Sequence, residues 1–388
     1  MLRLFLPARA IEPSHIFMLF YSAALVADVD DIIAQPGAGW LILALSVCVA
    51  LSLTRASFLA LLVISTLYFI SNELPDTENH TNLLVFTNVS VMLCLLYSYT
   101  RAQGGNAAVF YEIAQPIARL SIIVVLAVAG FHKFNTDFIN PKVSCVYLFS
   151  ADIANVAVGD FAGIGLPPVL FIVLMLLIVV LMLWRQQPHL RLPPIDWAGI
   201  ATPIAAIFIG MVLLSTLVGD LRDFGLRDLT VLSLAVAVLS WQLIEAPLLL
   251  VRRFQWVALC LSLLVHALLA FLRIVDFQAI SVALLITFVP THIWHAWNRQ
   301  AFASIGPVRV HRARLYFLLN LLGLLIIFAQ TQNIIDWPRP LTAWGLLFIA
   351  GLLTMLWPII SDLFSPERTW QWEGVPVFNG ASPRCVYR

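Results

Sequence analysis

The chain has 388 residues, of which 61% are hydrophobic and only 11% charged, with a formal net charge of +1 and a mean hydropathy of +0.94. A soluble core of this length cannot bury that much apolar surface, so the composition points to an integral membrane protein. A near-neutral balance without a basic run excludes nucleic acid as a partner, and five scattered cysteines without CxxC spacing suggest neither a disulfide framework nor a metal site.

Apolar stretches near the ~20 residues that a bilayer-spanning helix needs succeed one another along the chain. The first, over 15–33, is broken in its second half by Asp28, Asp30 and Asp31, and its continuity with the next apolar run argues against a cleaved signal peptide. Next come 38–54 and 56–71, joined by a hinge at Arg55, then 81–100 and 112–131. A long polar connection precedes 166–184 and 199–219, and 228–250, 255–273, 278–297, 314–331 and 340–360 complete the series. The expected fold class is an all-α polytopic helical bundle of about 12 (roughly 10–12) transmembrane helices. The membrane domain covers 1–360, and 361–388 form a short cytoplasmic tail.

Basic residues set the orientation. Arg3, Arg9, Arg55, Arg101, Arg185, Arg191, Arg252, Arg253, Arg299, Arg309, Arg312 and Arg314 fall at the N-terminus or in even-numbered connections. Odd-numbered connections carry acids instead, among them Glu73, Asp76, Glu78, Asp137, Asp152, Asp160, Asp220 and Asp223. Arginine-rich segments stay inside, so both termini are expected to be cytoplasmic, with His80, His132, Lys133, Lys142 and Asp276 toward the other side.

The fourth span opens on Asp76-Thr77-Glu78-Asn79-His80, where Thr77 or Asn79 can cap the helix and acids suit its dipole. His80, Thr87 and Cys94 then share a face at heptad spacing. In the fifth span Glu112, Arg119 and Lys133 also share a face, drifting by about 20° per heptad. Charge facing lipid costs at least ~2.5 kcal/mol per group, so that stripe must turn into the bundle or a watered cavity. The competing reading is a snorkelling Lys133 and an Arg119–acid pair that only fixes packing.

The fifth span runs out through Ala129-Gly130-Phe131-His132-Lys133-Phe134-Asn135-Thr136-Asp137-Phe138-Ile139-Asn140-Pro141-Lys142, which holds the only two lysines among 22 basic residues. A lysine ammonium gives up its proton on desolvation and can act as a base, whereas a guanidinium stays charged. His80 at the outer end of one helix and Lys133 at the outer end of the next form a candidate proton-transfer pair; a solvent-facing interfacial histidine is the alternative. His266, inside the ninth span, is either a functional group or a packing hydrogen bond. Glu245-Ala246-Pro247, with Gln242 a turn earlier, reads as a kink with a local carboxylate toward the cytoplasmic end of its span. His292 and His295 beside Trp294 and Trp297 read as an interfacial aromatic belt. No serine triad, P-loop or dinucleotide fingerprint occurs.

The run from Ala129 to Phe138 resembles the segment of vitamin K-dependent gamma-carboxylases that carries the catalytic base. Its extension through Asn135-Thr136-Asp137-Phe138-Ile139-Asn140-Pro141, with Ser144-Cys145, is similar to their bacterial relatives, the horizontally transferred transmembrane (HTTM) domain proteins. The resemblance places Lys133 as the base. Asn79-His80 resembles the family's Asn-His, whose histidine assists the lysine. The supporting set is Asn79, His132, Asn135, Asp137, Arg119 and His266. Similarity covers a motif core of 75–165 and 228–297. It departs from the family in His132 for the first basic residue, in an inserted helical hairpin over 166–227, and in lacking the long extramembrane part of the animal enzymes. The chain also stops abruptly at Pro383-Arg384-Cys385-Val386-Tyr387-Arg388, as a truncated relative would.

The resemblance implies a bacterial inner-membrane enzyme with its site on the extracytoplasmic side. Its cofactors would be a reduced naphthoquinone (a vitamin K-like quinol), O2 and, if it carboxylates, CO2, with no metal. A neutral lysine would take a hydroxyl proton from the quinol, and reaction with oxygen would yield a strong base that abstracts a proton from an unactivated carbon. The partners are then the lipid bilayer, the lipid-soluble quinol and an unidentified protein or small-molecule substrate. Two other classes compete: a transporter or permease with Glu112, Arg119 and Lys133 lining a path, and a non-catalytic membrane partner of a complex. Absence of an internal repeat and of paired broken helices counts against the transporter.

Overall fold

A computed structural model describes residues 12–29, 37–72, 79–101, 107–133, 138, 140, 226–252, 254–269, 275–289, 322–326 and 328–329. The spans expected over 166–184, 199–219 and 340–360, the tail 361–388, and all but the last two residues of the inserted hairpin lie outside the described residues. No strand occurs among those described. The helices are α1 (Pro13–Ala27), α2 (Ala38–Ser52), α3 (Arg55–Asn72), α4 (Asn79–Arg101), α5 (Ala107–His132), α6 (Leu226–Leu250), α7 (Gln255–Leu269) and α8 (Val275–Leu285), with a 3₁₀ turn at Ile286–Phe288.

Among the described residues, three helical segments are long and apolar enough to cross a membrane: Arg55–Asn72, Thr81–Thr100 and Val109–Phe131. Their outward faces carry large apolar side chains at helical spacing: Val63, Leu67 and Ile70 on α3; Phe86, Val89, Leu93 and Leu96 on α4; Leu120, Val124, Val128 and Phe131 on α5. Water penalises such stripes, whereas hydrocarbon accepts them. The interior is itself mostly apolar and also holds polar groups such as Asn88, Ser65 and Arg119, which a membrane bundle keeps away from lipid.

Two compact units divide the described residues, the first holding those up to Ile122 and from Val265 on, the second those from Ile123 to Leu264. In the first unit α1 is buried nearly all round and packs on α2 and α8, α2 packs on α3, and α3 on α4. A helix apolar on every side belongs in an interior. Pro13 opens α1, and the backbone N–H of Glu12 donates to His15 Nδ1 at 3.1 Å. The helix stops at the acids that interrupt the sequence pattern, with Asp28 as its C-cap.

Aromatic side chains from three helices surround this core, with ring centroids 5.4 Å apart for Phe17–Tyr21, 5.9 Å for Tyr21–Phe58 and 6.3 Å for Phe58–Phe110. A directed hydrogen-bond chain runs through it. Tyr21 OH donates to Asn88 Oδ1 at 2.8 Å, Asn88 Nδ2 donates to Ser65 Oγ at 3.1 Å, and Ser65 Oγ donates to the Leu62 carbonyl at 3.2 Å. One asparagine thereby ties α1, α3 and α4 together, using donors and acceptors that the backbone ladders leave over.

Two details differ from the sequence reading. The α2–α3 hinge is not Arg55 but the pair before it. Leu53 takes the left-handed conformation (φ 48°, ψ 36°), and Thr54 Oγ1 accepts the Ser57 backbone N–H at 3.2 Å, which is an N-cap. In the ninth and tenth spans, α8 begins earlier than expected, at Val275, and breaks into the 3₁₀ turn. Val289 there is extended (φ −64°, ψ 122°) because the next residue in the sequence is Pro290, which disfavours helix at its predecessor.

Candidate functional site

In the second unit α5 crosses α6 at Gly130. A Cβ built there would lie 3.3 Å from Leu243 Cδ2 and 3.4 Å from Gln242 Cβ, so the motif glycine lies directly against α6. Lys133 follows within the same turn, its backbone N–H bonded to the carbonyls of Ala129 (3.3 Å) and Gly130 (3.2 Å). The half-buried side chain folds back along the helix. Its Nζ lies 3.5 Å from the Ala129 carbonyl and 6.0 Å from the centroid of Phe138. The Ala129 carbonyl and the Phe138 ring thus flank the amino group and keep it beside an apolar span.

Across the crossing, Gln242 is half-buried, and its Oε1 is sealed from the surface and accepts no hydrogen bond. The neighbouring Trp241 Nε1 is sealed and donates none. Glu245, one turn further along α6, is 1% exposed. Counting connections in the sequence puts Gln242 and Lys133 at opposite ends of their spans. The Gly130 crossing instead sets Gln242 against the turn that leads into Lys133. Sequence reasoning passed over Gln242 as part of a kink; a polar residue little more than a turn before the only Pro in its span was the available signal.

Arg119 belongs to the first unit. It is 2% exposed, and its Nε (2.9 Å) and Nη2 (2.5 Å) both donate to the carbonyl of Thr287, which also accepts Gln115 Nε2 at 2.9 Å. The 3₁₀ turn supplies that carbonyl: where α8 breaks, its oxygens turn to side-chain donors. Phe288 lies under the guanidinium at 5.5 Å. The expected charged stripe is therefore not inward along its whole length, because Glu112 is exposed near the start of α5, where fewer neighbours cover the helix.

His266 is 3% exposed, and its Nδ1 forms a short hydrogen bond with Gln278 Oε1, with the Phe277 ring 5.9 Å away. Of its two readings, this geometry gives the packing tie between α7 and α8. Asn79 and His80 fall in the first turn of α4 and His132 in the last turn of α5; for these three the described structure is the backbone. Asn135, Asp137, Lys142, His292 and His295 lie outside the described residues. No family model matches the chain, and it matches neither a curated protein nor a solved structure.

Proposed function

We propose that this chain is an HTTM-type, gamma-carboxylase-like membrane enzyme in which Lys133 is the base that starts oxygenation of a reduced naphthoquinone. The carrying observation is the placement of Lys133, a half-buried amine at the mouth of the long apolar helix α5, folded back toward that helix three residues after the glycine that meets α6. A lipid-soluble quinol reaches such a position laterally, and the amine is the group there able to take a hydroxyl proton. His80 assists it by relaying the proton. Arg119, His266, Asn79, His132, Asn135 and Asp137 make up the supporting set.

The reaction consumes one quinol and one O2, places one oxygen atom in the quinone epoxide and releases the other as water. Coupled carboxylation would take CO2 onto the carbon acid that the enzyme serves. The proposal includes the finer topology: about twelve spans in a bacterial inner membrane, both termini cytoplasmic, and the site toward the extracytoplasmic side. The test is epoxide formation from reduced naphthoquinones and oxygen by the purified chain in nanodiscs, wild type against Lys133→Ala. Epoxide that disappears with the lysine supports the assignment. No epoxide from the wild type with several quinols overturns it and returns transport or a scaffold role to first place.

A further inference from the structure

Arg55 opens α3, Tyr99 lies in the last turn of α4, and the Arg55 guanidinium carbon sits over the Tyr99 ring, 4.6 Å from its centroid. The contact marks one depth for both helices. The membrane-crossing segment of α3 starts at Arg55 and that of α4 ends at Thr100, so the pair stands where two spans leave the hydrocarbon together. Tyr99 is 42% exposed and Tyr97 46%, which puts two amphipathic rings at the level where a bilayer meets water. Just before Arg55 the exposed hydroxyls of Ser52 and Thr54 bond with that of Ser57, at 3.0 and 2.8 Å. Hydrocarbon does not accept such a cluster, whereas the headgroup layer does.

Charge decides what meets the guanidinium there. Neither 37–72 nor 79–101 holds an aspartate or a glutamate, and the charged residues of α2, α3 and α4 at this end are Arg55 and, closing α4, Arg101. Stacking on a ring engages the flat face of a guanidinium. Its N–H donors lie in the plane and point out along the edge, the geometry that takes two oxygens of a phosphate. We infer that Arg55, held over Tyr99, is a binding site for the phosphodiester headgroup of an anionic phospholipid in the leaflet at that end of α3. The acyl chains of such a lipid run along the outward apolar side chains of the same two helices, Val63 and Leu67 on α3 and Leu93 and Leu96 on α4. A free phosphate has no use for that apolar surface, so a lipid is the occupant it fits. The inference stands independently of the quinol reading.

The experiment is native mass spectrometry of the full chain, delipidated in detergent and titrated with palmitoyl-oleoyl phosphatidylglycerol or with the zwitterionic phosphatidylcholine of the same chains. Wild type, Arg55→Gln, Arg55→Lys and Tyr99→Leu are compared, each first checked for an unchanged elution profile. The wild type is expected to hold its first phosphatidylglycerol about fivefold more tightly than phosphatidylcholine, the factor one interfacial cation supplies. Arg55→Gln is expected to remove that preference, and Arg55→Lys and Tyr99→Leu to weaken it, since lysine lacks the planar fork and leucine the ring. Should Arg55→Gln elute differently, those two variants decide. Equal affinity for the two lipids in the wild type, or an undiminished preference in Arg55→Gln, overturns the inference. A wild-type preference in both Arg55→Lys and Tyr99→Leu overturns the ring-held site in favour of charge alone. Displacement of the first phosphatidylglycerol by excess inorganic phosphate overturns the lipid as occupant in favour of a free phosphate.

Discussion

The interiors of the two units spend their polar groups differently. In the first, Tyr21, Asn88 and Ser65 pass hydrogen bonds from one helix to the next until a backbone carbonyl ends the chain, and Arg119 and Gln115 converge on a single carbonyl at the α8 break. In the second, Gln242 Oε1, Trp241 Nε1 and Trp256 Nε1 are sealed and make no hydrogen bond. The first unit holds sealed polar atoms as well, the Thr87 and Ser281 hydroxyls among them, alongside its closed chain. A closed network rigidifies its helices. Sealed polar atoms without a hydrogen bond, as on the α6 turn that Gly130 touches, leave that interior less tightly tied.

On that contrast, changes at Lys133 and its helper His80 alter chemistry, and changes in the closed hydrogen-bond network of the first unit alter stability. Lys133→Ala carries the largest expected effect, a loss of about 10²–10⁴ in quinol turnover, the range general-base removal typically costs. Lys142→Ala changes it little, and His80→Ala falls between. Equal losses from the two lysine variants in the epoxide assay remove the special role of Lys133. Arg119→Ala comes next: it leaves a cavity and withdraws two donors from the Thr287 carbonyl, and lowers stability by about 2–4 kcal/mol, read as the unfolding midpoint in detergent. Asn88→Leu then costs about 1–3 kcal/mol by stranding the Tyr21 hydroxyl and one Ser65 interaction. Quinol affinity of the folded Asn88→Leu protein stays at the wild-type value. A tenfold loss of affinity there, with stability intact, reverses the comparison.

Much of the fold is legible because hydrophobic length is a strong signal. Expected spans at 38–54, 56–71, 81–100 and 228–250 lie within two residues of α2, α3, α4 and α6 at either end, and the acids after Ala27 end α1 where their desolvation cost says they should. The fifth span begins earlier than expected, at Ala107, since Pro116 and Glu112 look like a boundary to a hydropathy count yet fit inside a helix whose first turns are exposed. Less of the candidate site could be read. Composition marks Lys133 as rare and the motif gives it a role, but nothing in the sequence sets α5 against α6. That depends on one missing Cβ at Gly130, and a close approach between helices distant in sequence leaves no periodic trace. Thr287 escaped for a related reason: its contribution is a backbone carbonyl, and only the break before Pro290 hints that it is available.

The smallest effect tests the same division at the surface of the first unit. Thr54 is exposed, and its hydroxyl oxygen accepts the Ser57 N–H, one of the donors that the start of α3 leaves without an intrahelical partner. The residue before it, Leu53, holds a left-handed conformation that costs an L-residue about 1–2 kcal/mol, so the α2–α3 corner keeps its shape only while the cap helps to offset that strain. Thr54→Ala is therefore expected to lower stability by about 1 kcal/mol, and Thr54→Ser, which retains the acceptor, by only a few tenths. Both variants are expected to bind the quinol and turn it over at wild-type rates. Serine failing to restore the midpoint would assign the loss to the threonine methyl rather than to the cap. A turnover defect in either variant would mean that the α2–α3 corner reaches the chemistry, and that stability and function are not divided as the hydrogen bonding suggests.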